Sequence, residues 1–444
     1  MSAAMSGLAV RSLRHRPRAA VATFLAVLLG TLLIGSFATL AESSGGAPAP
    51  DDGTLIILGA VVGGWGALIV LFSVASTVAI TTTQRATEIG LLRTIGATPR
   101  QARRLIARET GAIALTAAVA GALAASVTGR LLFELIRSGG LVSDRTEYDA
   151  GPASVAGAAV LVLVVSALAA AVAARKATRG PAGMLVRESA GEHGRMRWWR
   201  VAVALLLIGY GLAMAVITVA VTADSDDPYA AMSTSGSSSI LVGVGLAVLA
   251  PVLLRWAAGP VRLLAGTSAT AHLASYNTAR RAHLLAGVLA PVVVLTAAAA
   301  GTLMLVDIDR RSLPAGTPDS DTITLLNNVV VGMISLFAAI MVVNAFVATV
   351  AHRREELHRL RLLGATPRQV RGSVVAEAGL VAVIGVVLGL VAAATTVVPF
   401  AVARDEGLVP DGGLWLVPAV AAAVVALTLG AARGAVRSAA RVTV

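Results

Sequence analysis

The side chains best suited to recognise a partner lie in one hexapeptide, GATPRQ, which occurs at residues 96–101 and again at 364–369. Threonine, proline and glutamine in this order are typical of a helix start. Threonine is the N-cap, proline takes the first helical position, and glutamine completes a capping box. In each copy the arginine is followed three residues later by another, so both guanidinium groups share one helix face. The pattern predicts a docking surface that is present twice.

The sequence lacks the patterns that catalysis or cofactor binding would need. A phosphate-binding loop requires G-x-x-x-x-G-K-[ST], whereas the only lysine, Lys176, follows Arg175. There is no cysteine, which excludes disulfides and thiolate chemistry. The spacing of His352 and His358 is not that of the zinc motif H-E-x-x-H. We therefore predict a non-catalytic chain with no catalytic, cofactor-binding or metal-ligating residues, so that any ATP is hydrolysed by a separate subunit.

The composition indicates which elements must hold the two copies. Of 444 residues, 57% are hydrophobic and 14% are charged, and the mean hydropathy of +0.82 exceeds that of soluble domains. A spanning helix needs about 20 apolar residues, whereas barrel strands are shorter and alternate. The sequence thus predicts an all-α polytopic membrane protein with about ten transmembrane helices. The expected spans are 19–40, 54–80, 110–136, 151–174, 198–222, 237–256, 284–306, 323–350, 373–402 and 414–432.

The charged residues follow the distribution that sets membrane orientation. If the N-terminus is inside, the inner segments hold most of the 36 basic residues and the outer loops hold most of the 24 acidic ones. Because basic loops stay in the cytoplasm, we expect both termini there, in a bacterial plasma membrane. This distribution accounts for the net charge of +12, and no nucleic-acid partner is expected. A signal peptide cleaved after Ala41 is the alternative for the N-terminus, although its apolar run is long for one.

An internal duplication organises the chain. Residues 85–111 align with 353–379 without a gap and are identical at 13 of 27 positions. Six predicted helices separate the two hexapeptides, so both face the same side of the membrane, as in parallel repeats related by a pseudo-twofold axis. We expect a first four-helix unit at 1–175, a cytoplasmic linker with helices 5 and 6 at 176–270, and a second four-helix unit at 271–444.

Each hexapeptide is expected to form a rigid elbow between two helices. Gly96 and Gly364 stand where a helix C-terminus favours a left-handed residue. The helix after each elbow is expected to be short and amphipathic, and to re-enter the membrane near Glu109 or Glu377. Force on an elbow would then pass into the spans on either side of it.

Two polar residues are candidates for a role inside the membrane. Asn344 lies within predicted helix 8, and Ser76 is its counterpart 268 residues earlier. Polar side chains within a span usually face the bundle interior, so interhelical hydrogen bonding is the expected role. A contact with substrate, or with a lateral gate, is the alternative.

The pattern R-x-x-E-x-x-x-L-R-x-x-G-A-T-P-R-Q occurs at 85–101 and 353–369, and the stretch ARKATRGPAGMLVRE follows helix 4. Both resemble the signature of FtsX/MacB-like (type VII) ABC-transporter permeases. In that family the segment between the second and third helices of a unit is a coupling helix seated on the ATPase. The resemblance implies that the following residues contact or shape an ATPase interface: Arg85, Glu88, Arg93, Gly96, Thr98, Pro99, Arg100, Gln101, Arg103, Glu109, Arg353, Glu356, Arg361, Gly364, Thr366, Pro367, Arg368, Gln369, Arg371 and Glu377.

The resemblance also implies partners and a cargo. A cytoplasmic ABC ATPase, expected as a homodimer, would dock on the two elbows and bind the ATP and Mg²⁺, while membrane lipid surrounds the permease. Many relatives carry a large external domain, but the loops at 41–53 and 307–322 are too short for one. The expected activity is therefore export of a hydrophobic or amphiphilic substrate, such as a lipid, antibiotic or peptide, taken from the bilayer.

Two other functions stay open. An FtsX-like mechanotransmitter would use ATPase strokes to regulate an extracytoplasmic partner without transport, although the short external loops offer such a partner little to grip. An ion-driven secondary transporter would need acidic residues at mid-membrane, of which the sequence has few, and it would leave the two elbows unexplained.

Overall fold

The structure is a computed structural model that describes residues 17–49, 51–62, 86–94, 96–178, 196–225, 230–264, 282–312 and 354–440, with single positions at 278, between 64 and 82, and between 332 and 350. Every regular element within these residues is helical, and none of them is a strand. The predicted all-α class is confirmed. The chain forms two compact units, Met1–Arg195 and Met196–Val444, which are described separately.

The first unit is a packed set of helices built around α1. Its described helices are α1 Pro17–Ser43, α2 Asp51–Ile56, α3 Ala86–Thr94, α4 Pro99–Ser138 and α5 Pro152–Thr178. A π-helical segment, Ile57–Val62, continues α2, and α1 packs against both α4 and α5. A Cβ atom at Gly121 of α4 would lie 2.5 Å from the carbonyl oxygen of Leu28. Such close backbone approach through small residues is what holds helices together in lipid.

A carboxylate fixes the connection between α4 and α5 at the end of the unit opposite GATPRQ. Asp51 accepts hydrogen bonds from the hydroxyls of Ser143 and Thr146 and from the Ser143 amide, whose nitrogen lies 3.0 Å from Oδ2. The hydroxyl donors lower the pKa of the Asp51 carboxyl below its ordinary value because they stabilise the charged form. Glu42 similarly accepts from the Ser154 amide, 3.2 Å away. The described connection is thus tied to α2, and the start of α5 that follows it is tied to α1.

The second unit is built around α10, which is almost wholly buried. Its described helices are α6 Trp198–Ile217, α7 Ala230–Ser235, α8 Ser238–Val248, α9 Ala250–Leu264, α10 Ala282–Ser312, α11 Arg354–Leu362, α12 Pro367–Ala403 and α13 Leu416–Ala440. α10 packs against α8, α9, α12 and α13. A Cβ atom at Gly389 of α12 would lie 2.9 Å from the carbonyl oxygen of Val293, so these two helices also meet backbone to backbone.

Eight helices within the described residues are long and apolar enough to cross a membrane. They correspond to eight of the ten predicted spans, which supports a multi-pass membrane protein. The other two, predicted at 54–80 and 323–350, are described only in part, and their described positions are helical. One boundary was wrong: the described part of the span predicted at 237–256 runs from Ala230 to Val248, so the span already includes residues before 237.

Helices α6 to α9 pack within the second unit, mainly through contacts of α8 with α6 and α10. The division predicted from the duplication treats the segment 176–270 as separate from both repeats. That three-part division stays a prediction.

Candidate docking site at the repeated turns

The glycine of each hexapeptide ends the preceding helix in the left-handed conformation. Gly96 has φ +102° and Gly364 has φ +94°. After Gly96, the Ala97 amide donates to the carbonyl of Leu92 at 2.9 Å, and Ala365 repeats this bond with Leu360 at 3.0 Å. A six-to-one bond of this kind is the mark of a Schellman C-cap. The predicted left-handed caps are confirmed in both copies.

Threonine and glutamine then start the next helix with a complete capping box. Thr98 Oγ1 accepts from the Gln101 amide at 3.3 Å, and Gln101 Oε1 accepts from the Thr98 amide at 2.8 Å. Thr366 and Gln369 make the same two bonds at 3.2 and 2.8 Å. Both capping boxes were predicted from the sequence and are confirmed. We call residues 96–101 the first turn and 364–369 the second turn.

The basic face that follows each turn is exposed, while the opposite face is buried in its own unit. After the first turn, Ala102 and Ile106 pack on Ala174 of α5. After the second turn, Val370 and Val374 are buried. The exposed polar residues are Thr98, Arg100, Gln101 and Arg103 in the first copy, and Thr366, Arg368, Gln369 and Arg371 in the second. Buried apolar side chains therefore anchor the helix start after each turn to its own unit, while the arginines on the opposite face are exposed to solvent.

Two predicted site residues face the interior instead. Glu109 and Glu377, on α4 and α12, are only 3% and 2% exposed. Their burial removes both carboxylates from direct contact with a partner, so any part they play at the site is through the shape of the turn.

Arg93 is also engaged inside its unit. Its Nη1 atom donates to the carbonyl oxygen of Thr178, the last residue of α5, at 3.3 Å. This bond satisfies one of the free carbonyls at a helix C-terminus and places a positive charge at the negative end of the dipole. Its counterpart Arg361 has a buried Nε atom with no hydrogen-bond partner among the described residues.

Compared with known protein families, the chain matches the FtsX-like permease C-terminal family over residues 60–182 and 328–442. These two segments cover more than half of the chain, and each contains one turn. The chain belongs to the FtsX-like permease family. No curated protein matches it. FtsX-like permeases in general are non-catalytic membrane subunits that work with ABC ATPases.

The helix that follows each turn in this FtsX-like permease does not end where the sequence suggested. α4 runs as one helix of 40 residues from Pro99 to Ser138, and α12 as one of 37 residues from Pro367 to Ala403. The prediction of a short separate helix before each span was wrong. Arg, Leu, Ala and Gln between Pro99 and Thr110 are good helix formers, and no proline interrupts α4 after its start. The exposed basic face thus belongs to the first two turns of a helix that is itself long and apolar enough to cross a membrane.

Exposed leucines beside the turns were missed by the sequence reasoning. Leu362 and Leu363, directly before the second turn, are 75% and 84% exposed, and Leu91 before the first turn is also exposed. Only their position in the sequence could have indicated this exposure, because a helix C-terminus next to a left-handed glycine buries little side-chain surface. Each basic face therefore adjoins apolar surface, and exposed apolar patches bordered by charge are typical of protein interfaces.

Several predicted site residues cannot be placed. Arg85, Arg353, Ser76 and Asn344 lie outside the described residues. The backbones of Glu88 and Glu356 belong to α3 and α11, but their side chains are not among those described. The roles predicted for these six residues stay predictions.

Proposed function

We propose that this FtsX-like permease is the membrane subunit of an ABC transporter in a bacterial plasma membrane, with both termini cytoplasmic. A separate cytoplasmic ATPase, acting as a homodimer, docks on the two turns and binds the ATP and Mg²⁺. Hydrolysis drives export of a hydrophobic or amphiphilic substrate such as a lipid, antibiotic or peptide.

The observation that carries this proposal is the pair of exposed, doubly capped turns at the starts of α4 and α12. At 1.5 Å per residue these helices are about 60 and 55 Å long, whereas the hydrocarbon core is about 30 Å thick. Each helix therefore extends well beyond the lipid at one or both ends. A push on the capped end is transmitted along a single hydrogen-bonded rod, because neither helix has a break between the turn and the membrane.

The described connections at the other ends of these helices favour a lipid-derived cargo. The connection from α4 to α5 covers residues 139–151, and that from α12 to α13 covers 404–415. Both are too short to form a folded domain. A transporter that lacks a soluble external domain at these positions is best suited to substrates that partition into the bilayer.

A pull-down tests the docking. The tagged chain is purified from its own host in mild detergent, and co-purifying proteins are identified by mass spectrometry. We expect an ATPase with a phosphate-binding loop at two copies per chain. Its recovery should fall at least about tenfold in an Arg100→Glu/Arg368→Glu variant, because reversing two interfacial charges introduces like-charge repulsion.

The control is Arg145→Glu/Arg310→Glu, which reverses two exposed arginines at the ends of the units opposite the turns. This variant has the same net charge change and should keep the ATPase. Loss of the ATPase from both variants would mean a general charge effect, and absence of an ATPase from the wild-type sample would refute the proposal.

A further inference from the structure

One membrane span of the second unit is interrupted. The span Ala230–Val248 consists of α7 and α8, separated by Gly236 and Ser237. In hydrocarbon, an interrupted helix is tolerated only where protein or water satisfies the freed backbone groups. The adjoining end of α6 is irregular too, since Thr218–Thr222 is π-helical. Two irregular helices side by side mark this part of the unit as one that can change conformation.

Thr396 of α12 bridges the interruption. Its hydroxyl donates to the carbonyl of Ser235 at 2.8 Å and accepts from the amide of Ser239 at 2.9 Å. The Ser235 hydroxyl in turn donates to the Thr396 carbonyl at 2.9 Å. Ser237, the residue before α8, makes no capping bond with its own side chain. Thr396 therefore serves as an N-cap supplied by another helix, and we call these three residues the latch.

The latch is fully buried, and α12 is itself weakened beside it. Ser235, Ser239 and Thr396 are all 0% exposed. Pro399 lies inside α12 three residues beyond Thr396, where it removes the amide that would bond the carbonyl of Thr395. The latch thus joins a broken helix to a helix that a proline predisposes to bend.

α12 connects the latch to the second turn. The helix runs from the capping box at Thr366 to Ala403, so Thr396 stands about 45 Å along the helix from the cap. Ser235 and Ser239 belong to the stretch 183–327, between the two segments that match the family. Thr396 lies inside the second matching segment. The latch therefore couples a family-matched helix to a span that is not part of the family match.

We propose that the latch is a switch operated from the second turn. Displacement of that turn by the ATPase moves α12, breaks the hydrogen bonds of Thr396 to Ser235 and Ser239, and frees α7 at the far end of the span. This inference rests on the proposed function for its driving force. The switch lets α7 and α8 respond to nucleotide although neither helix adjoins the first or the second turn.

The first experiment measures latch opening in the chain alone, in lipid nanodiscs. The absence of native cysteine allows one reporter, Ser237→Cys, at the half-buried interruption, and its rate of modification by a water-soluble maleimide is followed. Adding Thr396→Val removes two hydrogen bonds at nearly constant volume and should raise the rate at least about fivefold by increasing local opening.

Thr428→Val is the matched control. Thr428 is also 0% exposed and belongs to the second unit, but its hydroxyl donates to the carbonyl of Val424 within its own helix, at 2.7 Å. The rate should stay within about twofold of the parent. If Thr396→Val fails to fold, Ser235→Ala, which removes a single bond, should give a smaller increase. An unchanged rate in the folded Thr396 or Ser235 variant would overturn the latch.

The second experiment separates a switch from a merely structural contact. The reporter chain is purified with its ATPase and labelled without nucleotide or trapped with ATP, Mg²⁺ and vanadate. Trapping should change the labelling rate by about tenfold in the parent, and the change should largely vanish in Thr396→Val because its latch is already open. Equal rates in both states, with the ATPase present, would overturn the switch and leave the proposed function intact. If no ATPase co-purifies, the switch has no driver and both proposals fall.

Discussion

Replacing Gly96 by alanine isolates the contribution of the turn's backbone conformation. A Cβ atom built there meets nothing within 4 Å, so the substitution causes no clash. The cost is the left-handed conformation at φ +102°, about 1–2 kcal/mol for a residue with a Cβ atom. Because 1.4 kcal/mol corresponds to about tenfold in an equilibrium constant, the Schellman bond of Ala97 should open about 5- to 30-fold more often.

Hydrogen exchange measured by mass spectrometry on the peptide containing Ala97 reads this opening directly. Gly111→Ala is the matched control: it is also a glycine with open space around its Cβ position, but it lies inside α4. There alanine should increase protection, since glycine costs about 0.5–1 kcal/mol relative to alanine in a helix. Gly364→Ala and Gly372→Ala form the equivalent pair in the second unit. Shifts of the same sign in Gly96→Ala and Gly111→Ala would refute the reasoning.

Three further outcomes are expected. Gly389→Ala should destabilise the second unit by about 1–3 kcal/mol, because its Cβ atom meets the carbonyl of Val293 at 2.9 Å. Gly430→Ala should leave the stability unchanged, because the space around its Cβ position is open. Unfolding followed by tryptophan fluorescence measures both effects. The tie made by Asp51 should persist at neutral pH and be lost as pH falls through its lowered pKa, below 3.8; hydrogen exchange at 139–151 should therefore resist mild acid and lose this protection in Asp51→Asn. An impermeant maleimide on whole cells should label Arg145→Cys but not Arg100→Cys if the turns are cytoplasmic, and the reverse pattern would invert the proposed orientation.

The turns could be predicted from the sequence because their chemistry is local. A threonine N-cap and a glutamine three residues later bond to each other, and the proline between them fixes the first helical position, so the signal is complete within four residues. The conformation of Gly96 is equally local, because the left-handed cap depends on the φ angle of that one residue. The spans were predictable for a related reason, because lipid imposes the same length and polarity on each of them.

The latch could not have been predicted in the same way. The stretch MSTSGSSS at 232–239 lowers the local hydropathy, so the sequence favours a loop over its first half and a span that begins at 237. In the structure the hydroxyls of Thr234, Ser235 and Ser237 each donate to a backbone carbonyl, and Thr234 also bonds the Thr218 hydroxyl at 3.0 Å. These bonds allow the polar side chains inside the bundle. Thr396 is 161 residues from Ser235 in the chain. Only tertiary packing brings the two together.

The two turns share their caps and arginines but differ around them, and this difference bears on which residues a partner can use. The first copy adds exposed Arg104 and Arg108, where the second has Gly372 and Ala376. The second copy has an exposed leucine, Leu362, where the first has Thr94. The homodimeric ATPase of the proposed function would offer the same surface to both turns. Residues found at one turn only cannot then be required for docking, and the shared exposed set of threonine, arginines and glutamine must supply recognition at both. In that proposal the unshared residues would make the two contacts unequal in strength, so that one unit would respond to ATP before the other.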